Sequence, residues 1–293
     1  MPGVLLGPGG GGNRPTWLRA PAPAGENYRE LRSLVERLGL HTVCQSAACP
    51  NLGDCWNRRT ATFLILGNVC SRRCGFCAVR KGAPLAADQD EPRRVAEAVA
   101  ALALHYAVLT SVTRDDLADG GAGMFAQTIR AIRGRVPGCR VEVLVPDFQG
   151  SLSALETVLE AAPDVLNHNL ETVPRLYAEV RSGADYRGSL QLLSEAAARR
   201  PALPVKSGLM LGLGETPEEV LEVLDDLRAA AVRRLTLGQY LRPSPAHLPV
   251  RRWVPPEEFA SLADGARQMG FTRVEAGPLV RSSYHAAASF AGG

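Results

Sequence analysis

Six of the seven cysteines lie between residues 44 and 77, in two groups of three. Cys44, Cys49 and Cys55 are spaced C-x4-C-x5-C in a loop-like run rich in Pro, Gly and Asn, "CQSAACPNLGDC". Cys70, Cys74 and Cys77 follow as C-x3-C-x2-C in "CSRRCGFC", with Phe76 just before the last. The odd count, the absence of a secretory signal pattern and a large apolar fraction argue against a disulfide framework and for metal-binding or catalytic thiols. Three thiolates do not close a structural zinc site, which wants four ligands. They do hold a 4Fe–4S cluster with one iron left open to a small molecule. The looser first group suits wrapping a bulky cluster, with zinc completed by His41 as the alternative. Cys139, between Gly138 and Arg140, reads as a small residue near a strand start.

These thiols need a scaffold, and the apolar pattern supplies one. The runs "ATFLILG", "YAVLTSV", "RVEVLVPD", "VLNHNL", "VKSGLMLGL" and "RLTLGQY" have strand length and strand composition. Helical patterns follow at 92–104, 123–134, 151–161, 187–199, 217–230 and 256–269. Strand–helix units in series imply a parallel sheet with right-handed crossovers. The expected fold is therefore α/β, a partial (βα)6 TIM-type barrel with N-terminal and C-terminal extensions covering the barrel mouth. The expected organisation is a flexible Gly/Pro-rich tail at 1–25, an N-terminal extension at 26–60, the barrel at 61–270 and a C-terminal extension at 271–293.

Chemistry in such folds sits at the C-terminal ends of the strands. That rule selects the Cys70–Cys77 loop, "TSVTRDDLADGG", "HNLET" and "GLGE". Within the second of these, Arg114, Asp115 and Asp116 read as a loop ion-pair network rather than substrate contacts. The 46% apolar and 22% charged composition is that of a globular protein, and the net charge of +3 gives no case for nucleic acid. Arginine doublets are dispersed, as on a solvated surface, while only Lys81 and Lys206 are lysines among 33 basic residues. No apolar run reaches the length of about eighteen residues expected of a membrane span. The expected location is the cytoplasm.

The C-x3-C-x2-C loop, with its aromatic residue at the end of a first barrel strand, resembles the radical S-adenosylmethionine superfamily. The resemblance implies that Cys70, Cys74 and Cys77 hold a 4Fe–4S cluster whose open iron chelates S-adenosylmethionine. One electron then cleaves the cofactor to a 5′-deoxyadenosyl radical. "GLMLGLGE", with Gly208, Gly212, Gly214 and Glu215, resembles the superfamily's G-x-I-x-G-x-x-E motif and implies Met210 against the adenine. Asn169 and Glu171 become candidates for the ribose hydroxyls, and Lys206 and Arg181 for the carboxylate.

The two cysteine groups in this order, with the C-terminal "RSSY", are similar to the lipoyl synthase family. The likeness runs from Cys44 to Tyr284 and takes in "TSVTRDDLADGGA", "NHNLETV", "KSGLMLGLGET", "LTLGQYLRPS" and "GPLVRSSYHA". It implies a second, auxiliary 4Fe–4S cluster on Cys44, Cys49, Cys55 and a serine, assigned to Ser283 before Ser282. Arg281 would help hold the C-terminal segment over it. The implied reaction inserts sulfur at carbons six and eight of an octanoyl chain carried on a protein lysine. The auxiliary cluster is the implied donor, and two S-adenosylmethionine molecules are consumed per product. The implied partners are octanoylated carriers (the glycine-cleavage H protein, lipoyl domains of oxo-acid dehydrogenases), an electron donor such as ferredoxin or flavodoxin, and a cluster-repair carrier. No nucleic acid or membrane is expected. The alternatives are a methylthiotransferase-like two-cluster enzyme and a two-cluster electron-transfer protein.

Overall fold

Strand–helix alternation runs through the computed structural model, which describes residues 15–20, 22–284 and 286. The glycine-rich part of the expected flexible tail, before residue 15, lies outside the described residues. Two units are distinguished, one of residues 21–72, 79–166 and 283–293, the other of residues 1–20, 73–78 and 167–282.

The first unit opens with α1 (Glu26–Arg37), which buries Leu31, Leu34 and Val35 at three- and four-residue spacing. β1 (His41–Thr42) leads into the short α2 (Val43–Ser46), capped by the Thr42 hydroxyl accepting from the Gln45 amide. In α3 (Leu52–Asn57), Trp56 is fully buried, with its ring centroid 5.3 Å from that of Tyr28 on α1. β2 (Thr62–Ile65) is buried at every position, as a strand covered on both faces must be. The short strands β3 (Val69–Cys70) and β4 (Arg80–Lys81) pair parallel. Then come α4 (Glu91–Ala101), β5 (Tyr106–Ser111), α5 (Ala122–Arg135), β6 (Arg140–Leu144), α6 (Leu152–Glu160) and β7 (Val165–Asn167). The sheet order is β1-β2-β5-β6-β7; β1 and β2 pair antiparallel, and β2, β5 and β6 are in parallel register. Val99, Phe125, Ile129 and Ile132 lose all solvent contact under the helices.

The second unit contains α7 (Tyr177–Val180), α8 (Tyr186–Arg199), β8 (Val205–Leu211), α9 (Pro217–Ala229), β9 (Arg234–Gln239), α10 (Pro256–Gln268) and β10 (Arg273–Gly277). β8, β9 and β10 are parallel neighbours. A complete capping box, Thr216 with Glu219, starts α9 behind Pro217. The six strands read from sequence are β2, β5, β6, β7, β8 and β9, and the six helices α4, α5, α6, α8, α9 and α10. β10 falls inside the stretch assigned to a C-terminal extension. Its residues are all half-buried and its "RVEAG" lacks a strand-like apolar run, so its pairing with β9 had no sequence signal. Among the described residues no helix is long and apolar enough to cross a membrane.

The turn after β2 prepares the cysteine loop. Leu66 and Gly67 take left-handed conformations, with φ of 66° and 85°. The Leu66 amide donates to Glu91 Oε2 at 2.7 Å, and the Gly67 amide also bonds this carboxylate. Burial holds the Glu91 carboxyl above its ordinary range despite these bonds. Replacing it by alanine strands two amides at a buried turn. Glu91→Ala is expected to lower unfolding free energy by about 1–3 kcal/mol, read from denaturant midpoints.

Candidate active site

In the first unit, Cys44 is buried on α2, while Cys49 and Cys55 are half-buried around the start of α3. Their sulfurs influence one another. Burial first, and Cys49 second, push the Cys44 thiol up to about 12. Burial, then Cys44, Cys49 and Asp54, push Cys55 up to about 12. The Thr62 amide opposes this at Cys44 by hydrogen bonding to sulfur, and the nearby Trp56 indole N–H acts in the same direction. That indole nitrogen is itself buried without a completed hydrogen bond. Three neighbouring thiols in apolar surroundings, with N–H donors aimed at the most buried one, fit a thiolate-bound iron–sulfur cluster. Among the described residues no group of three or more His, Cys, Asp or Glu side chains is gathered around a single metal ion, at these cysteines or elsewhere. His41 is half-buried, and its pKa is lowered by burial and then by the Arg94 cation.

The C-terminal segment returns to this unit. Burial, then the Asp54 carboxylate and the Cys55 sulfur, hold the Tyr284 phenol above its ordinary range, and its hydroxyl hydrogen-bonds Asp54. Asp54 is held in turn by Arg58, whose Nε donates to Oδ1 at 2.9 Å. Two residues on, Ala286 is buried against Tyr106 and Val108 of β5. Ser283, immediately before Tyr284, is half-buried. Also in the first unit, Cys70 ends β3, and its Sγ accepts from the Thr113 amide at 3.4 Å.

Cys74 and Cys77 belong to the second unit, where backbone contacts set their loop. The Gly75 amide donates to the Val180 carbonyl at 2.9 Å, and the Leu248 amide to the Gly75 carbonyl at 3.1 Å. A Cβ on Gly75 would lie 2.9 Å from Leu248 Cδ1 and 3.0 Å from the Glu179 carbonyl, so only glycine fits. His247 Nε2 is 3.0 Å from the Cys77 carbonyl oxygen, which only accepts, so Nε2 carries the proton. Nδ1 then accepts from the Ser244 hydroxyl at 2.8 Å. Sequence reasoning missed His247. Its only signal was the "PSPAHLP" turn after β9.

The remaining sequence-selected residues converge within this unit. Asn169 Nδ2 donates to Glu171 Oε1 at 3.0 Å and to the Ser282 hydroxyl at 2.5 Å. Lys206 Nζ donates to the Ser282 carbonyl. Asn169 Oδ1 is buried without a partner, and a Cβ on Gly208 would come within 3.1 Å of it. Arg181 is 9% exposed, and its Nη1 donates to the Asn169 carbonyl at 2.9 Å and the Tyr177 hydroxyl at 2.6 Å. It thus braces the "NHNLET" turn from behind. Burial holds the Glu171 carboxyl above its ordinary range, opposed first by Arg181. The Met210 amide donates to the Glu171 carbonyl at 2.9 Å, tying the glycine-rich strand to the same cluster. Glu215 accepts from the Gly212 and Leu213 amides and fixes the turn in which Gly212 takes a φ of 99°. The orphaned Asn169 oxygen and the close-approach Gly208 fit a polar ligand such as a nucleoside.

A model of the radical SAM superfamily matches residues 64–227. A lipoyl synthase from Koribacter versatilis is 60% identical over 273 residues, 93% of this chain and 90% of that protein. The chain belongs to the lipoyl synthase family. Lipoyl synthases from Chloroflexus aurantiacus and Rubrobacter xylanophilus are 58% and 57% identical over 93% of the chain and 89% and 85% of their own lengths. Membership makes the chain an enzyme of the radical SAM sulfurtransferase type, working with S-adenosylmethionine and an iron–sulfur cluster. Solved structures agree in fold. Methylornithine synthase (PylB) superposes with a TM-score of 0.54 at 14% identity, covering 84% of this chain and 81% of that one. Streptococcus suis SuiB bound to S-adenosylmethionine gives 0.57 at 10% identity, over 89% of this chain and 61% of that one. The shared architecture is the partial TIM-type barrel of the superfamily.

For a lipoyl synthase-family loop the fit at Gly75 is demanding. Gly75→Ala is expected to cost about 1–3 kcal/mol of stability through overpacking. Anaerobically reconstituted protein should hold less iron per chain than the parent, with the deficit confined to the S-adenosylmethionine-responsive electron paramagnetic resonance signal.

Proposed function

We propose that the chain is a lipoyl synthase that inserts sulfur at carbons six and eight of an octanoyl chain on a carrier-protein lysine, and that it uses two 4Fe–4S clusters to do so. These carbons have no neighbouring group to acidify their hydrogens, so general acid–base catalysis does not reach them. The cofactor supplies the hydrogen-abstracting radical chemistry and the protein supplies position. Cys70, Cys74 and Cys77 are the ligands of the cluster that binds S-adenosylmethionine. Asn169, Glu171, Arg181, Lys206 and Met210 line the cofactor's side, with Arg181 acting through the turn it braces. Cys44, Cys49, Cys55 and Ser283 hold the auxiliary cluster, the sulfur source.

The observation that carries the two-cluster reading is Tyr284 of "RSSY" bonded to Asp54 beside Cys55. It supports Ser283 as the fourth ligand. Ser282 is the weaker candidate, because its hydroxyl and carbonyl are engaged by Asn169 and Lys206. A serine oxygen is a hard ligand for a soft iron–sulfur site, so this corner is the most readily released. That suits a cluster meant to be opened and disfavours a purely electron-carrying one. The substrate is an octanoylated protein. Glycine-cleavage H protein and lipoyl domains of oxo-acid dehydrogenases are the proposed carriers, ferredoxin or flavodoxin the electron donor, and the cytoplasm the location, with a separate carrier rebuilding the spent cluster.

Anaerobically reconstituted protein given S-adenosylmethionine, dithionite and an octanoyl-lysine peptide should form 5′-deoxyadenosine and a thiolated peptide. Formation of neither would remove the enzyme reading. Ser283→Ala should cut sulfur transfer by roughly tenfold or more while 5′-deoxyadenosine still forms. Full sulfur transfer in that variant would remove Ser283 from the ligand set.

A further inference from the structure

The doublet Arg72-Arg73 inside the "CSRRC" run splits, with Arg73 exposed and the Arg72 side chain only 9% exposed. Arg72 Nε and Nη2 donate to Asp115 at 2.7 and 2.9 Å. Its Nη1 and Nη2 donate to Asp147 at 2.5 and 2.7 Å. Asp115 lies in the loop after β5, and Asp147 in the loop after β6, where it also accepts from the Gln149 amide at 3.0 Å. One guanidinium therefore ties the cysteine loop to the ends of two strands. The planar fork of arginine matches two carboxylates at once, which a lysine ammonium does not.

The two preceding residues are tied to the same place. Ser71 donates from its amide and its hydroxyl to the Thr113 carbonyl, at 3.1 and 2.9 Å. Its hydroxyl also accepts from the Asp115 amide at 3.2 Å. The Thr113 amide in turn donates to Cys70 Sγ at 3.4 Å. Cys70, Ser71 and Arg72 are each fixed on Thr113–Asp115, and Arg72 extends the tie to Asp147. Burial alone would make the Arg72 cation easier to lose, but the two carboxylates reverse this and keep it charged.

We infer that Arg72, clamped by Asp115 and Asp147, is a positioning residue that sets the Cys70 sulfur for its cluster before the cluster arrives. The inference rests on the reading of Cys70 as a cluster ligand. Partners that orient a metal ligand typically matter nearly as much as the ligand itself, and hydrogen bonds to the sulfurs help set a cluster's potential.

The test uses the full chain with three variants, Arg72→Lys, Asp147→Asn and Ser71→Ala. In cluster-free protein, iodoacetamide labelling followed by peptide mass mapping should show Cys70 reacting several-fold faster in each variant, with Cys44 unchanged. In reconstituted protein, Asp147→Asn removes one negative charge. The S-adenosylmethionine-responsive signal should therefore titrate at a higher midpoint potential. Unchanged Cys70 labelling together with an unchanged potential would overturn the clamp, even with a lowered melting temperature, since a merely structural ion pair gives that result. Asp147→Asn keeps the side-chain size and covers the case in which Arg72→Lys does not fold. Failure of the lipoyl synthase reading is distinguishable, because it appears in the parent protein as a cofactor-responsive signal without thiolated peptide.

Discussion

A thiol enclosed in apolar surroundings keeps its proton, and most of what surrounds the cysteines answers to that constraint. Cys44 and Cys55 are pushed to about 12 by burial and by neighbouring sulfurs, Cys49 acting on both. The cluster proposed there would have to displace those protons, which would couple its binding to proton release. The chain meets the cost with N–H groups rather than with basic side chains. Thr62 and Trp56 point at Cys44, and Thr113 points at Cys70. Oriented amide and indole dipoles stabilise charge on sulfur without placing a competing cation in the pocket.

The same chain uses carboxylates the opposite way, as acceptors that pin backbone amides at the turns. Glu91 holds Leu66, Asp119 holds Gly121 and Gly123, Glu215 holds Gly212 and Leu213, and Asp147 holds Gln149. Glu91 reaches from the start of α4 to the turn after β2, and the other three stand in the loops after β5, β8 and β6, where strand–helix folds concentrate chemistry. Fixing the turns with side-chain acceptors lets the loops carry close-approach glycines such as Gly212, whose amide Glu215 holds. Arg181 does the complementary task at "NHNLET", donating to a backbone carbonyl instead of accepting from an amide.

The sequence made legible what depends on local pattern. Cysteine spacing marked out the two candidate ligand groups, and apolar runs gave β2, β5, β6, β7, β8 and β9 close to their observed bounds. The illegible parts depend on partners distant in sequence. β10 is a strand because β9 offers it an edge, not because "RVEAG" favours one. His247 lies 170 residues from the Cys77 carbonyl it meets, and nothing in its neighbours predicts that bond. Nothing local distinguishes Arg72 from Arg73, and only the carboxylates 43 and 75 residues away separate the two. The expected loop ion pairs at Arg114–Asp116 formed, while Asp115 turned to Arg72 instead.

The pairing of β3 with β4 bears on how the cysteine loop is made ready. Cys70 stands opposite Lys81 in this parallel pair, and the Gly82 amide donates to the Cys70 carbonyl at 3.0 Å. The chain carrying Cys70, Cys74 and Cys77 is thus a closed ring, pinned at its neck before any metal binds. Closing a loop costs chain entropy that rises only slowly with its length, but a ligand that had to gather three free thiols would meet the whole cost at once. Here the neck meets much of it during folding. Each thiol accordingly arrives at a raised local concentration with respect to the others, as the ends of a short tether do.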